Sequence, residues 1–194
     1  MPDGFQVLEV VGDAASYKTS CLIRIAAYCA APVARGGLES RVVFVDLDRK
    51  LSVERLAQTV GADARDRVVV LRPSGAVDLM RALEAESRAT RLIVIDSMLS
   101  LFWYNALTEP LGAGYSLQVP QFLFRLAKER GIALAVSRPA RGDCVAKTWL
   151  SGVTHRLRVV ASGPDCRVCK VDATQGEVVL ARGALADIAG ASRA

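Results

Sequence analysis

No stretch of this sequence is apolar for anything near the roughly 20 residues that a membrane-spanning helix needs. The opening MPDGFQVLEVVG lacks the basic, then apolar, then small-residue order of a secretory signal. A soluble, intracellular protein without membrane contact is the expectation. Histidine is almost missing: His155 is the single one, and a lone histidine inside a strand-like run reads as structural rather than catalytic. The five cysteines are odd in number and scattered as Cys21, Cys29, Cys144, Cys166 and Cys169, unlike the even framework of a secreted disulfide scaffold. They are expected to be reduced. Cys166 and Cys169 form a lone C-x-x-C with no second pair and no nearby histidine, so a zinc ion there would be short of ligands. Internal repeats and low-complexity tracts are also absent.

What is present is a core. At 194 residues with 52% hydrophobic and 23% charged content, the chain can bury one sizeable core and is too short for two ordinary domains, so residues 1–194 are expected to form a single domain. The net charge of +5 is compatible with a polyanionic partner without requiring one. Apolar runs of strand length recur at Val7 to Val11, Val42 to Val45, Val68 to Leu71, Leu92 to Ile95 and Ile132 to Val136. Strands apolar at nearly every position are buried on both faces, as parallel strands flanked by helices are. Helical spacing fills the gaps at Cys21 to Ala31, Ser52 to Val60 with Ser52 as N-cap, Ala76 to Ala89, and Val119 to Arg130. The repeated β-α order predicts a doubly wound α/β fold, a mostly parallel twisted sheet flanked by helices. After Val136 the segments His155 to Ala161, Cys166 to Asp172 and Glu177 to Ala181, separated by turn residues, predict a C-terminal antiparallel extension. Asn105 to Ser116 lacks periodicity and reads as a long loop.

Gly12-Asp13-Ala14-Ala15-Ser16-Tyr17-Lys18-Thr19 follows a strand and precedes a helix, the placement of a G-x-x-x-x-G-K-[ST] phosphate loop. In such a loop the backbone N–H groups and the positive helix end surround phosphates, the lysine neutralises charge and the hydroxyl binds Mg²⁺. Gly12, Asp13, Ser16, Tyr17, Lys18 and Thr19 are therefore candidate nucleotide-binding residues. Tyr17 stands where the second glycine belongs, putting a large side chain where none is usual. A plain strand-to-helix turn with a solvated lysine is the competing interpretation. Arg91-Leu92-Ile93-Val94-Ile95-Asp96-Ser97 is an apolar strand ending in a carboxylate, the form of the element whose Asp helps hold Mg²⁺ in P-loop proteins. Thr19 and Asp96 are thus the candidate Mg²⁺ residues, and ATP with Mg²⁺ the candidate cofactors, weakly held.

Further segments carry a resemblance. Val43-Phe44-Val45-Asp46-Leu47-Asp48 running into Leu51-Ser52-Val53-Glu54-Arg55-Leu56, then Asp96-Ser97 leading to Phe102-Trp103, then Gln121 to Ala127 with Gly131 to Leu134, and His155-Arg156-Leu157 resemble, in order, the RecA-superfamily recombinases. With Gly36-Gly37-Leu38-Glu39 and Phe102-Trp103-Tyr104, the sequence looks most similar to the eukaryotic recombinase paralogues that lack the N-terminal helical domain of full recombinases. The resemblance implies a RecA-like P-loop fold, assembly with other recombinase paralogue subunits, and support of recombinase filaments on single-stranded DNA in homologous recombination, in the nucleus. It puts the catalytic glutamate's role on Asp48, one methylene shorter, and the γ-phosphate-sensing glutamine near Arg138, where no glutamine stands. With Tyr17, this implies a degenerate site with little or no DNA-dependent ATPase activity. Arg138, Arg141 and Lys147, with Arg156, fall where the family's second DNA loop lies and are candidate phosphate-binding residues. Trp149 is the one aromatic among them that could stack on bases. A solvated basic loop, an active DNA-dependent ATPase and another P-loop phosphotransferase remain alternatives.

Overall fold

The computed structural model describes residues 6–86, 88–98, 100, 112–140, 147–162 and 165–170. Phe102, Trp103, Tyr104, Arg141 and the expected strand Glu177 to Ala181 lie outside them. Strand β1 (Val7–Gly12) leads into helix α1 (Lys18–Ala30), and β2 (Arg41–Asp46) into α2 (Val53–Val60). β3 (Val68–Leu71), α3 (Ala76–Ala85), β4 (Thr90–Asp96), α4 (Gly112–Arg130) and β5 (Ala133–Pro139) continue the alternation. A short helix α5 (Lys147–Gly152) then precedes β6 (His155–Ser162) and β7 (Asp165–Lys170). The strand order is β3-β2-β4-β5-β1-β6-β7.

The first six strands in that order are all parallel. β6 therefore departs from the expected antiparallel extension: it runs parallel to β1, with Leu8 opposite His155 and Gly12 opposite Val159. The reason is α5, which carries the chain back to the starting end of the sheet before β6 begins, as a parallel crossover must. β7 pairs antiparallel with β6. The nonperiodic stretch expected as loop up to Ser116 is helical from Gly112, with Pro120 tolerated inside α4.

Strand alternation divides the core into two layers. Val7, Val43, Val45, Ile93, Ile95, Leu134 and Val136 face α3, α4 and α5, joined there by Leu79, Leu123 and Trp149. Val10, Val42, Phe44, Val94, Ala135, Leu157 and Val159 face α1 and α2, meeting Leu22, Ile23, Ala26 and Leu56. Because the central strands are apolar on both faces, any polar residue in them stands out. Three such residues, Asp46, Asp96 and Ser137, sit at or near the carboxyl ends of their strands, the end of the sheet at which β1 gives way to α1, and a fourth, Glu9, lies midway along β1.

Candidate nucleotide site

β1 ends at Gly12, and α1 starts at Lys18. A Cβ on Gly12 would lie 2.6 Å from the Val159 carbonyl oxygen of the neighbouring strand and would also collide with the Ser16 hydroxyl, so the close approach of loop to sheet requires glycine. Ala15 and Tyr17 have φ of 59° and 66°. The second-glycine position thus does take the left-handed backbone for which glycine is usual, and Tyr17 adopts it with its side chain exposed. The Lys18 ammonium folds back over the loop, donating to the carbonyls of Gly12 at 2.9 Å and Asp13 at 2.6 Å. Burial pushes the Lys18 pKa down, and the carboxylates of Asp96, Asp13 and Asp48 only partly restore it. A cation that has lost solvent and is bonded mainly to neutral carbonyls is ready to exchange them for a polyanion.

The acidic end of the site follows from strand parity. Asp46 on β2 and Asp96 on β4 are Cα partners, and Ile95 pairs with Val136 on β5, so Ser137 takes the next position of the same row. All three lie on the α1 side. The Thr19 hydroxyl, on the first turn of α1, donates to Asp96 Oδ2 at 2.6 Å, and the buried Ser137 hydroxyl donates to Asp96 Oδ1. Asp46 is also buried and serves the backbone: its carboxylate accepts the N–H groups of Lys50 at 3.0 Å and Leu51 at 3.2 Å and the Arg72 Nε at 3.0 Å. That turn presents Asp48, which accepts a short hydrogen bond from the Ser100 hydroxyl and pairs with Lys50 at 3.3 Å. Asp48 thus lies within electrostatic reach of Lys18, with its oxygens engaged by Ser100 and Lys50.

The opposite face holds a cluster that the apolar reading of β1 passed over. Glu9, with 0% exposure, points toward α5. Its Oε1 accepts Arg138 Nε at 2.7 Å and the indole N–H of Trp149 at 3.0 Å, while Oε2 accepts Arg156 Nε at 2.6 Å. Burial opposes its ionisation most strongly, but the bonds and charges of Arg138 and then Arg156 together outweigh it, holding the carboxyl below the usual glutamate range. The Arg138 guanidinium, proposed from the sequence to meet phosphates, donates its Nε to Glu9 and is only 15% exposed. Trp149 is no exposed stacking platform: it is fully buried and stacks on Phe124 with ring centroids 5.2 Å apart. Lys147 opens α5, and Arg141 falls outside the described residues. A signal for Ser137 and Arg138 was available in period-2 alternation, since consecutive strand residues must serve opposite faces. Glu9 could have been found as the one charge inside an otherwise apolar run.

The residues at the loop fit a nucleotide with Mg²⁺ chemically. Thr19 and Asp96 bring two hard oxygen donors together, the kind that Mg²⁺ takes alongside phosphate and water. No known family model matches the chain. Among curated proteins, 111 of its residues are 26% identical to the DNA repair protein RAD51 homolog 2 of Arabidopsis thaliana. Over that stretch the chain is similar to this DNA repair protein. The match covers 48% of this chain but only 30% of that protein, so it spans less than a third of the relative's length. The α/β fold, with its parallel sheet between helices and a phosphate-type loop after β1, is consistent with a RecA-like architecture.

Proposed function

We propose that this chain is a RecA-like core domain of the recombinase-paralogue kind. It supports homologous-recombination DNA repair in the nucleus by assembling with other paralogue subunits and aiding recombinase filaments on single-stranded DNA. Its similarity to a DNA repair protein motivates the biological setting. The observation that carries the site chemistry is the Thr19 to Asp96 hydrogen bond, which joins the phosphate loop to the end of β4 across 77 positions of sequence. A plain strand-to-helix turn has no need of that link.

When bound, ATP with Mg²⁺ would supply a charged phosphate group whose binding state can be sensed by partners. The chain's own residues then have distinct tasks: Lys18 balances phosphate charge, the N–H groups before α1 orient it, and Thr19 with Asp96 holds the cation. Gly12, Asp13, Ser16 and Tyr17 shape the loop. Weak binding and slow hydrolysis are supported by two features, the left-handed Tyr17 and an Asp48 whose oxygens are engaged by Ser100 and Lys50. An active DNA-dependent ATPase is the second reading, favoured by the position of Asp48 within the electrostatic reach of Lys18. For direct DNA contact, Arg138, Arg141 and Lys147 are the proposed residues, with Arg138 also held by Glu9. No helix among the described residues is long and apolar enough to cross a membrane.

The test is gentle purification of the tagged protein from its native cells, with mass spectrometry of what accompanies it and ATP turnover measured on the purified chain. Co-purification of a recombinase paralogue, unaffected by Lys18→Ala, with turnover at background level supports the assembly role. Turnover stimulated by single-stranded DNA and lost in Lys18→Ala supports the enzyme instead. Absence of any recombination protein sinks the assembly role, and with turnover at background as well it sinks both.

A further inference from the structure

Asp96 receives a hydrogen bond from the first turn after the loop, and each of its two oxygens accepts a hydroxyl among the described residues. Oδ2 is taken by the Thr19 hydroxyl and Oδ1 by that of Ser137. The two donors differ in kind. Thr19 belongs to α1 and can turn its lone pairs to a cation while its hydrogen still points at Asp96. Ser137 belongs to β5, is fully buried, and faces Asp96 from the neighbouring strand. It can only hold the carboxylate.

We infer that Ser137 is a positioning residue that fixes the orientation of Asp96 and thereby sets which divalent cation the site accepts with nucleotide. With Oδ1 held by Ser137 and Oδ2 by Thr19, the Asp96 carboxylate is fixed in one orientation, which disfavours offering both oxygens symmetrically to one ion. Mg²⁺ is small, keeps several of its waters and needs few protein oxygens, so it loses little from this restriction. Ca²⁺ takes six to eight oxygens and gains much from a bidentate carboxylate, so it is penalised.

The inference rests on the nucleotide-binding reading, and the experiment separates the two. Binding of a fluorescent ATP analogue is titrated in Mg²⁺ and in Ca²⁺ for the wild-type chain, Ser137→Ala and Ser137→Cys, with thermal melting as a check of folding. Wild type is expected to bind more tightly with Mg²⁺. In Ser137→Ala the Mg²⁺ over Ca²⁺ preference is expected to narrow by about three- to tenfold, the value of one ordinary net hydrogen bond. Ser137→Cys, with the same shape and a weaker donor, should fall between them. It also carries the test if the alanine variant does not fold.

A purely structural Ser137 would change melting temperature and overall affinity but leave the cation ratio alone. A ratio unchanged in both variants, while wild type binds nucleotide with Mg²⁺, overturns the Ser137 assignment and leaves the nucleotide reading standing. Wild type that binds nucleotide with neither cation overturns both.

Discussion

Glu9 and Arg156 stand opposite each other on β1 and β6, and the Arg156 Nε donates to the Glu9 carboxylate at 2.6 Å in a region where Glu9 has no exposed surface. β1 is the strand from which the phosphate loop departs, three residues beyond Glu9. A carboxylate at this depth is costly unless its charge and lone pairs are met. Arg138, Arg156 and Trp149 meet them, and in doing so they fasten the end of β5, the start of β6 and helix α5 to the strand below the loop.

Glu9→Gln is expected to cost about 3 kcal/mol, because it leaves two arginines facing a neutral group and Arg138 has little access to water. The pH dependence has a definite sign. The Glu9 carboxyl ionises at lower pH in the folded chain than in the unfolded one, so its stabilisation is complete above the ordinary glutamate range, about pH 4.3, and is lost as pH falls further through the folded value. Urea unfolding at pH 7 and at successively lower pH should show the gap between wild type and Glu9→Gln closing with acidification. A gap that stays constant would mean that Glu9 is not ionised in the fold.

The sheet was legible because burial on both faces leaves a plain mark: Val42 to Val45 or Leu92 to Ile95 can be little else than central parallel strands. The strand-to-helix turn after β1 was legible because Gly12 and Lys18 flank it, where β1 ends and α1 begins. What the sequence hid depends on partners distant in the chain. Arg138 looks like part of a basic segment until the fold sets Glu9, 129 positions away, against it. Ser137 carries no motif, and its role exists only because β5 lies beside β4. Trp149 reads as available for stacking, but six helical residues before β6 are enough to turn it into the core against Phe124. The direction of β6 is hidden because the turn residues around it resemble hairpin signals while the short α5 has little periodicity of its own.

Gly12→Ala should destabilise the fold by about 1–3 kcal/mol, the usual range for forcing extra volume into a packed site. The added carbon meets the Val159 backbone carbonyl, which cannot rotate away as a side chain could. β1 and β6 would have to separate, straining the Glu9 to Arg156 bond as well. Denaturant unfolding checks this, and an unchanged midpoint would show that the loop can lift off β6 at no cost.

Tyr17→Gly acts in the other direction. A non-glycine residue in the left-handed region costs about 1–2 kcal/mol in the folded chain, and Tyr17 sits there with φ of 66°. Glycine removes that strain, partly offset by its greater freedom when unfolded, so melting temperature should rise slightly or stay level. Nucleotide affinity should rise by more, because the phosphate no longer has to share the loop with a phenol ring. Equal or weaker affinity in Tyr17→Gly would place the weakness of the site elsewhere.

Asp48→Glu tests whether the acidic residue on the turn after β2 is a water-activating base held too far back. Asp46 fixes that turn through the N–H groups of Lys50 and Leu51, so the backbone will not advance to compensate for a short side chain. One added methylene moves the carboxylate outward and away from Ser100, whose hydroxyl now holds it. Rates of positioned catalysis change by orders of magnitude for displacements near an ångström. ATP turnover in Asp48→Glu is therefore expected to exceed wild type by at least about tenfold, most visibly when combined with Tyr17→Gly so that nucleotide occupancy does not limit it. Turnover at background level in the double variant, with nucleotide shown to be bound, would mean that the missing component is not the length of the base, and the absence of glutamine at the end of β5, where Ser137 and Arg138 stand, becomes the cause to pursue.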